Sequence, residues 1–198
     1  MRNIIIYDIL IPSLYRLYEM DYDNIRCGVS ERNICARLAH HTENIMRAYD
    51  QDHNSGVFFH YYADVEYNRM GNGDLKRYEN SEHLPQYMVA DFLIQSRGEP
   101  RNLLAVEMKH KSNYVNREKD RERLEALVST APIQSTLPCV YGTMVGAFII
   151  YSPKTVIVEF YESVNRYGTK TGEISLSYRT NENGTLSLEM TNENWKRF

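Results

Sequence analysis

Hydrophobic and polar positions divide the chain into helical segments at the front and alternating segments behind. Ile4 to Ile11 is briefly apolar, interrupted by Asp8, and Pro12 follows. Pro12 to about Met20 is expected to form a short helix, with proline near its first turn and Leu14, Leu17 and Tyr18 apolar. Asp21 to Gly28 is a polar break, after which Ser30 has the residue type of an N-cap. The helix it opens, reaching about Tyr49, carries Ile34, Cys35, Leu38, Ala39, Ile45 and Met46 at helical spacing. Val57 to Arg69 switches to a period of two. Val57, Phe59, Tyr61, Ala63, Val65 and Tyr67 fall on one face, and Phe58, His60, Tyr62, Asp64 and Glu66 on the other.

A polar loop from Gly71 to Pro85, with Asn72-Gly73 as a turn signal, leads to a second strand, Tyr87 to Ser96. Gly98-Glu99-Pro100 turns it into a third, Leu103 to Lys109. That strand is apolar on both faces until its end, which predicts a central place in a covered sheet. Asn113 to Asn116 enters a helix that begins as a charge run, Arg117 to Arg123, and ends with Leu124, Leu127, Val128 and Ala131. The charge run suits a solvated face as well as a binding face. Tyr141 to Tyr151 and Thr155 to Glu162 are strands around Ser152-Pro153-Lys154. Glu173 to Arg179 and Thr185 to Met190 form a hairpin around Asn183-Gly184. The expectation is one α/β domain with a central mixed sheet flanked by helices. It has an N-terminal helix within 1–24, a core at about 29–151 and a β-rich C-terminal extension at 152–198.

Composition narrows the classes. The 198 residues are 42% hydrophobic and 25% charged, an ordinary globular balance that excludes a disordered or collagen-like chain. A net charge of -3 argues against a uniformly basic coat but leaves room for a local basic groove. Cys27, Cys35 and Cys139 form no CxxC pair, so neither a zinc site nor a disulfide framework is indicated. The first apolar run is too short for a membrane span and lacks a cleavage site. Reduced thiols in a cytoplasmic protein are the simplest expectation. GxxxxGK[ST] and GxSxG are absent.

Three charged residues stand where apolar ones are expected. Asp91 is alone inside Tyr87-Met88-Val89-Ala90-Asp91-Phe92-Leu93-Ile94, and Glu107 and Lys109 end the third strand on one face. The turn between these strands brings Asp91 and Glu107 near one another. A buried unpaired carboxylate costs several kcal/mol and two side by side cost more. Lys109 offsets only one, and a hard divalent cation such as Mg²⁺ would resolve the rest. Such a cation polarises a phosphoryl oxygen and acidifies a bound water, with Lys109 placed to orient that water or stabilise developing charge. A structural alternative has equal standing: a Glu107–Lys109 ion pair with Asp91 capping a loop. Glu31, two turns before Leu38 on the same helix face, could supply a third carboxylate or simply favour the helix N-terminus. Glu43, about 140° from Leu38, is expected to face solvent.

Asp91, then sixteen residues later Glu107-Met108-Lys109, with Glu31 on a preceding helix, resembles the PD-(D/E)XK nuclease superfamily of restriction-endonuclease-like folds. The αβββαβ order from Ser30 to Tyr151 is similar to that family's core. Ser30-Glu31 with Arg37-Leu38-Ala39, Val65 to Arg69, and Arg97-Gly98 with Asn102 to Glu107 also resemble uncharacterised prokaryotic members. Ala90 stands where the motif has proline. The resemblance implies Mg²⁺-dependent cleavage of a nucleic-acid phosphodiester, with Mn²⁺ able to substitute. Asp91, Glu107 and the Met108 carbonyl would hold the metal, Lys109 would serve the nucleophilic water, and Glu31 would take the helix-borne acidic role. DNA is the expected substrate over RNA, although the phosphate chemistry is common to both. Cutting both strands of a duplex would call for a homodimer or a partner subunit. The runner-up is a catalytically silent nucleic-acid- or protein-binding module of a larger defence, mobile-element or repair assembly.

Lys111, Arg117 and Arg121 follow the candidate site and could grip backbone phosphates, while the interleaved acids suit intrahelical pairs equally. Asp64, Glu66 and His60 share a strand face, read as a polar edge rather than a second metal site. His40, His41, His53 and His83 show no ligand spacing such as HExxH.

Overall fold

The computed structural model describes residues 1–66, 77–79, 85–87, 89–96, 102–130, 142–180 and 185–196, with the backbone alone at 77–79 and 85–87. The sequence features at Tyr67 to Arg69, Asn72-Gly73, His83, Arg97 to Pro100, Cys139 and Asn183-Gly184 lie outside the described residues.

The apolar start is a helix. Ile4–Leu10 is π-helical and runs directly into α1 (Ile11–Met20). Its Ile5, Ile6, Ile9 and Leu10 are completely buried, so the short run at the front is core. α2 (Tyr22–Arg26) occupies the expected polar break. α3 (Glu31–Asp52) starts where Ser30 accepts a hydrogen bond from the Asn33 N–H, as the N-cap reading requires. Ile34, Cys35, Leu38, Ala39 and Met46 are its buried stripe.

The described strands comprise β1 (Tyr61–Val65), β2 (Arg77–Glu79), β3 (Pro85–Tyr87), β4 (Phe92–Ser96), β5 (Asn102–His110), β6 (Val145–Tyr151), β7 (Thr155–Val164), β8 (Tyr167–Thr180) and β9 (Leu186–Trp195), with α4 (Arg117–Val128) between β5 and β6. Seven of them form one mixed sheet in the order β1-β4-β5-β6-β7-β8-β9; β2 and β3 pair separately. Among the described strand pairs only β5 and β6 run parallel, and α4 is the crossover between them. The C-terminal strands are therefore continuous with the core sheet.

Alternation along the strands sorts two layers. Phe92, Ile94, Val106, Met108, Ala147, Ile149, Val156 and Val158 pack under α1 and α3. Leu93, Ala105, Phe148, Ile150 and Tyr161 pack under Leu124, Leu127 and Val128 of α4. β5 is buried on both faces, which matches its central place.

Three expectations are corrected. The first strand begins only at Tyr61, because residues 57–60 form a turn, in which Phe58 is buried and Phe59 is exposed. The second apolar run is not one strand: Asp91 sits in a bend just before β4, and β3 ends at Tyr87. Glu43 is not a purely solvent-facing charge, since its Oε2 accepts from the Ala63 N–H of edge strand β1 at 3.1 Å. Among the described residues no helix is long and apolar enough to cross a membrane.

The helical layer is locked by a buried polar knot. Asp21, where α1 ends, accepts from Arg37 Nε at 2.8 Å and meets His41 Nε2 at 2.6 Å, both from α3. Burial alone would raise the Asp21 pKa, but the hydrogen bonds from His41 and Arg37 outweigh it and leave it below its usual value. A depressed carboxylate contributes stability above its unfolded pKa of about 3.9 and loses it as pH falls through the lower folded value. Asp21→Asn is expected to cost about 1–3 kcal/mol at pH 7 and to flatten the loss of stability below about pH 4. Urea unfolding at a series of pH values checks this, and a variant with an unchanged acid limb would contradict it.

Candidate active site

The site forms because β4 is shorter than β5. The last ladder pair between them is Phe92 with Val106. One residue further along each chain lie Asp91 and Glu107, so the antiparallel register brings the two acids side by side. Past the end of β4 the Met108 N–H has no strand partner, and Asp91 Oδ2 accepts it at 2.7 Å. Glu107 and Lys109 continue the face of Ala105, beneath α4. Asp91, Glu107 and Lys109 thus converge.

Glu31 joins them from the other layer. As the first residue of α3 it reaches beyond the helix end, and its Oε2 lies 3.8 Å from Lys109 Nζ. Its Oε1 also accepts the His110 N–H at 2.8 Å, and Asn113 Nδ2 donates to both oxygens. Glu31 therefore clamps the turn after β5 as well as facing the lysine.

The charge run on α4 is not simply a solvated face. Asp120 is 3% exposed and lies 3.4 Å from Lys109 Nζ through Oδ2. Arg123 donates to Glu107 Oε1 at 2.5 Å, to Asp120 Oδ1 at 3.1 Å and to the Val89 carbonyl at 2.8 Å. The sequence places Asp120 and Arg123 in the charge run without assigning them to the site, yet the signal was there. Asp120 is one turn before Leu124 and two before Leu127, so it extends the buried stripe of α4, just as Glu31 extends that of α3.

The electrostatics are those of a crowded acidic pocket. Burial pushes the Glu107 carboxyl well above its ordinary value and the charge of Asp91 adds to this, with Arg123 opposing. Burial raises Asp91 as well, against the Met108 N–H and Lys109. Burial would lower the Lys109 pKa, but Asp120, Asp91 and Glu31 together leave it raised, so the lysine is held as a cation. The alternative of a Glu107–Lys109 ion pair is not what forms: Glu107 pairs with Arg123, and Lys109 with Asp120 and Glu31.

The proposed phosphate contacts divide. Lys111 is exposed on the turn after β5. Arg117 is tied to the carbonyls of Asn113, His110 and Lys111 and lies over the Tyr114 ring. Arg121 is held in a two-pronged pair with buried Glu159, at 2.8 and 3.1 Å, and is the most committed of the three. Asp64 accepts from Gln95 and Glu66 pairs with Arg32, as a polar strand edge would.

Among the described residues no three His, Cys, Asp or Glu side chains are gathered as a ready metal cage. The donor set nevertheless suits a hard cation: oxygen ligands, excess negative charge, and in Asp120 Oδ2 a buried oxygen without a hydrogen bond. No protein-family model, curated protein or solved structure matches the chain, so geometry alone carries the chemistry.

The ionised form of Asp91 is disfavoured where it sits, so its charge works against the metal-free fold. Asp91→Asn keeps an oxygen for the Met108 N–H and removes that charge. It is expected to stabilise the metal-free protein by on the order of 1 kcal/mol, read by calorimetry in EDTA. An equal loss of stability would show that Asp91 is only a structural acceptor.

Proposed function

We propose that this protein is a Mg²⁺-dependent nuclease, cleaving a phosphodiester bond of nucleic acid, with DNA as the favoured substrate. The observation that carries the reading is the meeting of Asp91, Glu107 and Lys109 at the point where β5 outruns β4. The connection α3-β1-β4-β5-α4-β6, with one parallel pair crossed over by α4, supports a restriction-endonuclease-like core.

Asp91 and Glu107 are the residues that would hold the cation. The Met108 carbonyl supports them, because the N–H and C=O of a strand residue leave the backbone on the same side and its N–H already points to Asp91. When bound, the cation neutralises the acids, polarises the phosphoryl oxygen and lowers the pKa of a bound water. Lys109, kept charged by its acidic neighbours, orients the attacking water and balances negative charge growing on the phosphorus oxygens. Asp120 and Glu31 aim the lysine from opposite sides. Lys111 stands at the rim, where a backbone phosphate would approach.

Cleavage of supercoiled, linear and single-stranded DNA and of RNA, assayed with Mg²⁺, Mn²⁺ or EDTA, tests the reading. Wild type is expected to cut only with metal, and Glu107→Ala and Lys109→Ala to lose at least about 100-fold in rate. Full metal-dependent cleavage by both variants would refute it. A preparation that binds metal and cuts nothing would point to the silent-module reading.

A further inference from the structure

Arg123 occupies an unusual place. Its guanidinium bridges two carboxylates and a backbone carbonyl: Glu107 Oε1, Asp120 Oδ1 and the Val89 oxygen, all within 3.1 Å. These are the donor types a hard divalent cation selects. Glu107 is 1% exposed and Asp120 3% exposed, so water screens neither acid. Four carboxylates (Asp91, Glu107, Asp120 and Glu31) share two side-chain cations (Lys109, Arg123). Asp120 Oδ2 is left without a hydrogen bond, and the Lys109 ammonium beside it at 3.4 Å is shared with Glu31. The centre thus holds fewer cations than carboxylates, and the guanidinium fills it incompletely.

We propose that Arg123 is the resident counter-cation of this centre, and that a divalent metal ion binds by displacing its guanidinium from Glu107. The proposal rests on the metal-dependent reading above and adds to it a residue that sets metal affinity. Two charges on one buried carboxylate explain the competition. A divalent ion and a guanidinium within a few ångströms repel strongly where water is excluded. Displacement is local because Arg123 and Asp120 are one turn apart on α4, and Asp120 is already bonded to the guanidinium. When Glu107 is surrendered to the metal, Asp120 retains the arginine. Asp120 is thus a positioning residue for both Lys109 and Arg123.

Calorimetric titration of MnCl₂ into the full chain tests this, with thermal unfolding in EDTA and in saturating Mn²⁺ as a second readout. Arg123→Gln is expected to bind Mn²⁺ at least about tenfold tighter than wild type, or about 1.4 kcal/mol. Its metal-free form is expected to melt lower and to gain more from Mn²⁺. Arg123→Lys keeps the charge but replaces the wide planar fork of the guanidinium with a compact ammonium that spans Glu107 and Asp120 less well, so its affinity is expected to lie between the two. It carries the test should Arg123→Gln fail to fold. Unchanged or weaker Mn²⁺ binding in the folded variants would overturn the proposal, leaving Arg123 as a prop that aims Glu107. Tighter binding without any cleavage would uphold the displacement and sink the nuclease reading instead. Absence of Mn²⁺ binding in wild type and variants would end both.

Discussion

The early stop of β4 beside the longer β5 is the constraint on which the site depends. A central strand covered on both faces has no reason to carry Glu107 and Lys109 unless something answers their charge. Beyond Phe92 the neighbouring strand is replaced by a bend, and Asp91 comes to lie against the same stretch of β5. The backbone there is relieved by a side chain, and the side chains by α4. Structure at this point is therefore electrostatic more than apolar. The remainder of the α4 layer, from Leu124 to Val128 over Ala105 and Phe148, is an ordinary small core.

α4 must be held firmly for this to work, and the C-terminal strands hold it. Gly168 of β8 lies so close beneath the helix that a Cβ there would stand 1.9 Å from the Glu125 carbonyl oxygen. The Thr130 N–H and Ser129 Oγ both bond to the Arg166 carbonyl, fixing the end of the helix to the β7–β8 turn. Arg121 pairs with Glu159 of β7, whose carboxyl it keeps below the usual range against the effect of burial. The β-rich C-terminal extension thus acts on the site without contributing a residue to it: it sets the height at which Asp120 and Arg123 meet β5.

Much of this was legible in the sequence, for physical reasons that differ by element. Ser30 and the α3 stripe were readable because capping and amphipathic spacing are local. The central place of β5 followed from its apolar character on both faces. Asp91, Glu107 and Lys109 announced themselves as charges in apolar runs, and the structure brings them together. The boundary between bend and strand at Asp91 was not legible, because it depends on where the partner strand ends. The start of the first strand was misplaced at Val57 because the apolar residues of the turn at 57–60 continue the period of β1. Asp120 and Arg123 were hidden in a charge run whose composition suits a solvated face; only the register of the stripe behind them marks the inner side. The run at Ile4–Leu10 shows in the sequence only as apolar and too short for a membrane span; it is a helix that gains its stability from burial in the core shared with α1 and α3.

Asp91 and Glu107, where β5 outruns β4, are proposed as a cation site. Anomalous diffraction from crystals equilibrated with Mn²⁺ tests it most directly. The expected result is a single strong peak about 2.0–2.3 Å from carboxylate oxygens of Asp91 and Glu107, with the Arg123 guanidinium turned away from Glu107 and still on Asp120. A map without a peak at saturating Mn²⁺, with Arg123 still seated on Glu107, would contradict it and make the cluster a structural ion-pair network.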